Sequence, residues 1–203
     1  ESFPEVKYIQ HPYNRGFSAS VYTGVVAASS ELVLLLNSDV RPSADSFEGL
    51  VRGMETESMF AVSPLILNED GSLNSYSWNV FEWKRLRLKR KRWNETDLNK
   101  RTDGKPIKQF FCSGGSMIVR RKMFLALDGF AVIFKPYYSE DLDLCVRAWR
   151  RGWSSGFEPS STVVHQEVGS ISQNEKAKTV KVIQRRNRFF FEWSHFPLSK
   201  LVF

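Results

Sequence analysis

An α/β fold built around an open sheet is predicted by three observations. Leu32-Val33-Leu34-Leu35-Leu36 is an apolar run of strand length that does not alternate, the pattern of a strand buried on both faces, and it stops abruptly on Asn37-Ser38-Asp39. Ser161-Thr162-Val163-Val164-His165 repeats that layout, a strand ending on a side chain able to bind metal. Between them, Leu142, Val146 and Trp149 fall at helical spacing with Gly152 as terminator. In open α/β sheets ligands sit outside the carboxyl ends of the strands, so Asp39 is delivered to the rim of a crevice. Residues 37–39 equally suit a turn and a helix cap, and the stretch alone leaves both readings open.

The remaining elements follow in chain order. Val6-Lys7-Tyr8-Ile9 alternates like a short strand, and Asn14-Arg15-Gly16-Phe17 forms a polar turn before a small-residue helix over 21–28. Gly16 permits unusual backbone geometry, Arg15 offers a forked donor for phosphate, and the helix start presents free amides. A purely structural turn has the same appearance. A helix is expected over 43–54 with Ser43 as cap, then a strand over 60–67 interrupted by Pro64. Between Trp78 and Lys108, the basic cluster from Lys84 to Arg92 is set among tryptophans, which reads as an insertion or flap outside the core.

Gly114-Gly115 precedes the strand-like Ser116-Met117-Ile118-Val119, where paired glycines allow close approach of backbone or ligand, or simply tight packing. A short helix over 120–127 ends at Asp128-Gly129-Phe130. Ser139 then precedes Glu140, Asp141 and Asp143 at the start of the next helix. Acids there compensate the helix dipole, yet three carboxylates beside Tyr137 and Tyr138 exceed that need and offer a general base. The tail is basic and helical over 174–186, continuing into the aromatic stretch from Asn187 to Pro197.

The 203-residue chain carries a net charge of +7 and a sequence pI near 9.5, which points to an anionic partner such as a nucleotide, nucleic acid or lipid surface. Cys112 and Cys145 are far apart in sequence and lack zinc-site spacing, so a reducing, cytoplasmic setting is expected. No apolar run is long enough to cross a bilayer.

Taken in order, Asn14-Arg15-Gly16-Phe17, Leu35-Leu36-Asn37-Ser38-Asp39, Gly114-Gly115-Ser116-Met117, Asp128-Gly129-Phe130, Glu140-Asp141-Leu142-Asp143 and Val164-His165 resemble the family 2 glycosyltransferases of GT-A fold. The likeness is greatest to rhamnosyltransferase-like members that build bacterial surface polysaccharides. It implies a Rossmann-like mixed sheet with flanking helices, and an inverting transfer of sugar from a UDP- or dTDP-sugar to a glycan or lipid-linked acceptor. By the resemblance, Asp39 and His165 bind Mn2+ or Mg2+, and Asn37 replaces the first acid of an Asp-x-Asp-type motif. Asp141 corresponds to the catalytic base with Glu140 beside it, while Asn14, Arg15, Gly16, Gly114 and Gly115 border the donor.

The resemblance also implies that strands binding base and ribose would precede residue 1, so the chain reads as an N-terminally truncated form that lacks one wall of the nucleotide pocket. An exposed sheet edge favouring association with a second copy follows from that expectation. Residues 1–170 are expected to form the partial catalytic domain, with the basic insertion at about 78–108, and 171–203 a helical, aromatic and basic extension whose aromatics either pack onto the domain beneath the acceptor site or settle at the bilayer surface; the expected location is cytoplasmic, with peripheral contact at the inner face of the plasma membrane as the alternative. The alternatives are an inactive transferase-like structural partner and, against the absence of any recognisable RNA or DNA motif, a basic nucleic-acid-binding module.

Overall fold

The computed structural model describes residues 3–84, 87–91, 93, 96, 105–166 and 176–196. Helix α1 (Phe17–Ala27) leads to strands β1 (Leu32–Leu36) and β2 (Val40–Pro42), helix α2 (Ser46–Gly53) and strand β3 (Met59–Asn68). A hairpin of β4 (Phe81–Lys84) and β5 (Arg87–Arg90) precedes β6 (Ile107–Lys108), β7 (Ser116–Arg120) and helix α3 (Arg121–Ala126). A 3-10 turn (Val132–Phe134), helix α4 (Glu140–Arg150), strand β8 (Ser154–His165) and helix α5 (Ala177–His195) complete the order.

The main sheet runs β1-β7-β3-β8-β2, with β6 added to β8. Among the described residues only β3 and β8 pair in parallel; β1–β7, β3–β7, β2–β8 and β6–β8 are antiparallel, so the sheet is mixed. Strand alternation divides the core between two faces. Leu35, Phe60, Ala61, Met117 and Val119 pack with Val25 of α1, Phe124 of α3 and Leu144 of α4. On the other face Leu32, Leu34, Val62 and Ile118 pack with Leu50 of α2. Helices therefore cover both faces of the sheet.

Several expectations change. Strand β1 does contribute to both faces, but only Leu35 is buried, and Leu36 is 42% exposed, because β1 ends the strand order among the described residues. Residues 6–9 form no strand: Val6 is 64% and Tyr8 80% exposed, and alternation without a pairing strand does not build one. The cap of α2 is Asp45, not Ser43, whose hydroxyl instead bonds the Thr162 carbonyl at 2.9 Å. Strand β8 starts seven residues before Ser161 and accommodates Pro159. Strand β3 passes through Pro64 where its register with β8 shifts, which is where a missing N–H is tolerated.

The basic insertion is narrower than expected. Trp78, Asn79 and Ile107 are buried, and Trp78 stacks on Phe157 of β8 at 5.9 Å, so a tryptophan expected in a flap outside the core belongs to the core. Arg85, Leu86, Arg92 and residues 97–104 lie outside the described residues, as do Asn174 and Pro197 in the tail. Cys112 and Cys145, distant in sequence, are both free and buried, with the Cys112 N–H 3.5 Å from Cys145 Sγ.

Helix α5 is held to the turn before α4 by one buried side chain. The Asn187 amide Nδ2 donates to the carbonyls of Phe134, Tyr137 and Tyr138 at 2.6, 2.8 and 2.9 Å. Tyr138 and Ser139 have φ of 75° and 74°, an unusual left-handed pair that needs such external support. A second contact joins His195 Nε2 to Asp143 Oδ1 at 2.8 Å, and Asp143 Oδ2 also takes the Arg147 guanidinium at 2.7 Å. Asn187→Ala leaves the buried carbonyls without their donor, so urea unfolding should show a loss of about 1–3 kcal/mol. A change below about 0.5 kcal/mol would show that the clamp contributes nothing.

Candidate active site

Four of the expected site residues, Asn37, Gly114, Gly115 and Asp141, meet at the loop before β7. Asn37, at the carboxyl end of β1, donates its backbone N–H to the Gly115 carbonyl at 2.9 Å. Its side chain rests against Gly115 so closely that a Cβ there would come within 2.8 Å of Asn37 Nδ2. Gly114 donates its backbone N–H to Asp141 Oδ2 at 3.2 Å. Residues 37, 114, 115 and 141 therefore belong to one cluster, and at Gly115 the space of the missing Cβ is taken by the Asn37 side chain, the tight-packing alternative for the paired glycines.

Asp39 and His165 come together from the other direction. In the β2–β8 pairing Val40 lies opposite His165, and the Asp39 carbonyl accepts the Gln166 N–H at 2.8 Å. Among the described residues no hydrogen bond or ion pair joins the two side chains. Asp39 Oδ1 is buried without a hydrogen-bond partner among the described residues, an arrangement that is costly unless a ligand or cation completes it. A carboxylate oxygen and an imidazole suit Mn2+ or Mg2+, so the residues fit the implied ion. No cluster of three or more acidic, histidine or cysteine side chains occurs among the described residues, so further ligands would come from outside that set. The turn from Asn37 to Val40, closed by the Val40 N–H on the Asn37 carbonyl at 3.1 Å, links this pair to the glycine cluster.

Asn14, Arg15 and Gly16 are exposed and stand at the start of α1. Asn14 Oδ1 accepts the Gly16 N–H at 2.8 Å, a local turn bond, and Gly16 is required for its φ of 79° with open space around it. The next residue, Phe17, places its ring 3.6 Å from where a Gly114 Cβ would be, which sets this turn beside the cluster.

The two carboxylates at the start of α4 are electrostatically unlike. Burial, reinforced by the neighbouring Asp141 charge, pushes the Glu140 carboxyl up to about 8, and Glu140 Oε2 has no hydrogen-bond partner among the described residues. Burial also raises Asp141, while N–H bonds from Gly114 and Leu142, the latter at 2.8 Å, oppose the rise. Asp143 does not join them: with Arg147 and His195 it forms a buried structural network. The Ser139 hydroxyl caps nothing; the residue contributes its left-handed backbone.

The aromatic segment that begins at Asn187 packs onto the domain, with Asn187 and Phe191 both buried on one face of α5; the three carbonyls that Asn187 clamps are what its sequence does not show.

The sequence profile of Glycosyl transferase family 2 matches residues 1–127. Among curated proteins, N-acetylgalactosaminyltransferase 6 of Drosophila melanogaster is 23% identical over 176 residues, covering 81% of this chain and 25% of its own length. Inactive polypeptide N-acetylgalactosaminyltransferase-like protein 5 of Macaca fascicularis is 24% identical over 195 residues, covering 88% and 40%. The chain thus spans between a quarter and two fifths of these relatives. Both are animal proteins, so they lend no support to a rhamnosyltransferase-like branch or a bacterial polysaccharide setting. GalNAc-T7, solved with UDP, GalNAc and Mn2+, superimposes with a TM-score of 0.62 at 17% identity over 80% of this chain and 32% of its own. The mannosyltransferase PcManGT of Pyrobaculum calidifontis, solved with GDP-Man and Mn2+, gives 0.54 at 15% identity over 92% and 53%. These solved structures share the mixed sheet and flanking helices of the GT-A fold. With the family profile covering well over half of the chain, it belongs to glycosyl transferase family 2.

Proposed function

We propose that the chain carries the catalytic centre of an inverting sugar transfer from a nucleotide-diphosphate donor, with UDP as the first nucleotide to test because GalNAc-T7 was solved with it. The observation that carries this reading is the buried Asp39 Oδ1, without a hydrogen-bond partner among the described residues, on the turn that begins at Asn37, which packs on Gly115 next to the Gly114 that bonds Asp141. A divalent ion bound at Asp39 and His165 would supply charge neutralisation for the diphosphate. The chain's own residues do the rest. The free amides at the start of α1 and Arg15 face the donor side, with Asn37, Gly114 and Gly115 bordering it.

Asp141 acts as general base. It takes the proton from the acceptor hydroxyl as that oxygen bonds to the anomeric carbon and the bond from that carbon to the diphosphate oxygen breaks. A carboxylate raised by burial is a better proton acceptor than a solvated one, and its two N–H bonds keep it aimed. Glu140, protonated at neutral pH, donates a hydrogen bond to substrate hydroxyls instead of competing as a second anion. A second reading, an inactive structural partner, is favoured by the kinship to a relative named inactive and by Asn37 at the first acid position.

Three experiments test the transferase reading and the carboxylates it uses. Calorimetry with UDP and Mn2+ should show binding that weakens by about tenfold or more in Asp39→Ala, roughly 1.4 kcal/mol. No binding by the unaltered chain would favour the inactive partner. Asp141→Asn should reduce transfer roughly 100- to 10,000-fold while UDP–Mn2+ affinity stays unchanged; equal turnover removes Asp141 as base. The third experiment concerns pH. The folded Glu140 pKa of about 8 lies above the ordinary 4.5, so the folded state holds the extra proton between those values, and stability present below 4.5 is lost as pH rises towards 8. Glu140→Gln should flatten that loss, whose slope reaches at most about 1.4 kcal/mol per pH unit, in urea unfolding across the window. Identical slopes in both proteins would contradict the assignment.

A further inference from the structure

Cys112 and Cys145, the chain's two cysteines, stand 33 positions apart in sequence and meet beside the candidate site. Both are wholly buried, in the core cluster that holds Phe124 of α3 and Leu144 of α4. The Cys112 N–H points to Cys145 Sγ at 3.5 Å, and the two thiols also interact with each other. Two residues further along, Gly114 donates its N–H to Asp141, which lies four residues before Cys145 and so on the same face of α4. The segment from Cys112 to Gly114 therefore meets the helix at two rungs, one at sulfur and one at the candidate base.

The surroundings accommodate either oxidation state of this pair. In the reduced state the Cys112 S–H donates to the Gly156 carbonyl at 3.4 Å. Gln109 Nε2 donates to the same carbonyl at 2.8 Å, so loss of the S–H hydrogen still leaves that buried acceptor with a donor. In the folded chain the sulfurs are unreactive: burial, reinforced by the Cys145 thiol, holds the Cys112 thiol well above its ordinary value and keeps the nucleophilic thiolate scarce. Before the core closes, both sulfurs are in water and free to react.

We propose that Cys112 and Cys145 form a disulfide site, closed while the chain folds in the presence of a small-molecule disulfide, and that the link fastens the Gly114 segment to α4. One cysteine thiolate attacks the S–S bond of the oxidant and expels a small thiol. The second cysteine thiolate then attacks the protein sulfur of that mixed disulfide and expels the other small thiol. Two protein S–H bonds give one S–S bond, and the two electrons and two protons leave on the oxidant as its two thiols. The native contact selects the pairing, and burial then shields it from reduction. With the sulfur rung covalent, the Gly114–Asp141 rung beside it is held in register, whatever the chemical role of Asp141.

The experiment refolds the full chain from urea by dilution into oxidised or into reduced glutathione, alkylates each product under denaturing conditions without reductant, and maps it by mass spectrometry. Oxidative refolding should give a monomer lighter by two hydrogens, without an alkylatable thiol and with a peptide joining Cys112 to Cys145. Its Tm should lie about 5–15 °C above that of the reduced form, as closure of a loop of this length implies, and dithiothreitol added to the unfolded chain should abolish the gain. Hydrogen exchange at the Gly114 amide should slow at least about tenfold in the linked form. Cys145→Ala refolded in oxidised glutathione should show neither the linked peptide nor the Tm gain; where that variant does not fold, the peptide map of the unaltered chain decides. Two alkylatable thiols after oxidative refolding, glutathione adducts in place of the link, or links between chains overturn the site. A linked chain with unchanged Tm and unchanged Gly114 exchange overturns its fastening role.

Discussion

At Gly115 the Asn37 side chain packs into the space a Cβ would occupy, and the site is arranged around that contact. The β1–β7 pairing brings Asn37 to the glycine, whose missing Cβ leaves room for the Asn37 amide. Gly114, one residue earlier, turns its N–H to Asp141. A single dipeptide thus fixes the distance between the end of β1, which leads to Asp39, and the start of α4. The β2–β8 pairing then supplies His165 by register alone. Backbone hydrogen bonds, which tolerate little variation in length, place groups drawn from widely separated parts of the chain.

The start of α4 shows two opposing effects on neighbouring acids. A helix N-terminus favours negative charge, but typically by only about 0.3–1 kcal/mol at exposed positions. Desolvation at a buried position outweighs this, and it is the first cause of the raised Glu140 and Asp141 carboxyls. What distinguishes the pair is hydrogen bonding: Asp141 receives N–H donors from Gly114 and Leu142, whereas Glu140 has an oxygen with none. Asp143, only two residues on, meets a guanidinium and an imidazole and is drawn into the framework. Three acids that look equivalent in sequence thus have three different surroundings.

Local pattern was readable where local physics decides. The periodicity of α4, the Asp128-Gly129 stop after α3 and the apolar run of β1 all follow from neighbours in sequence, and so do the strand-end positions of Asp39 and His165. Strand direction was not readable, since β7 could have joined β1 and β3 either way. The exposed stretch over 6–9 alternates as well as a real strand does and lacks only a partner, which no local signal reveals. Trp78 among basic residues resembles an interfacial anchor until Phe157 is found beneath it. Asn187 was hidden for a similar reason: its three carbonyl partners lie about fifty residues away, and only tertiary structure turns a polar residue in an aromatic helix into a clamp.

That clamp has a bearing on how the chain can be divided. The turn presenting Glu140 and Asp141 is built from non-glycine residues in left-handed backbone, and its carbonyls are tied to α5. An excision that ended the polypeptide just past β8 would keep every strand and every proposed donor-side residue while freeing the segment that aims the carboxylates. Such a shortened protein would be expected to fold its sheet yet present its acids in many orientations, so the last helix behaves as an internal splint for the site and not as a detachable appendage.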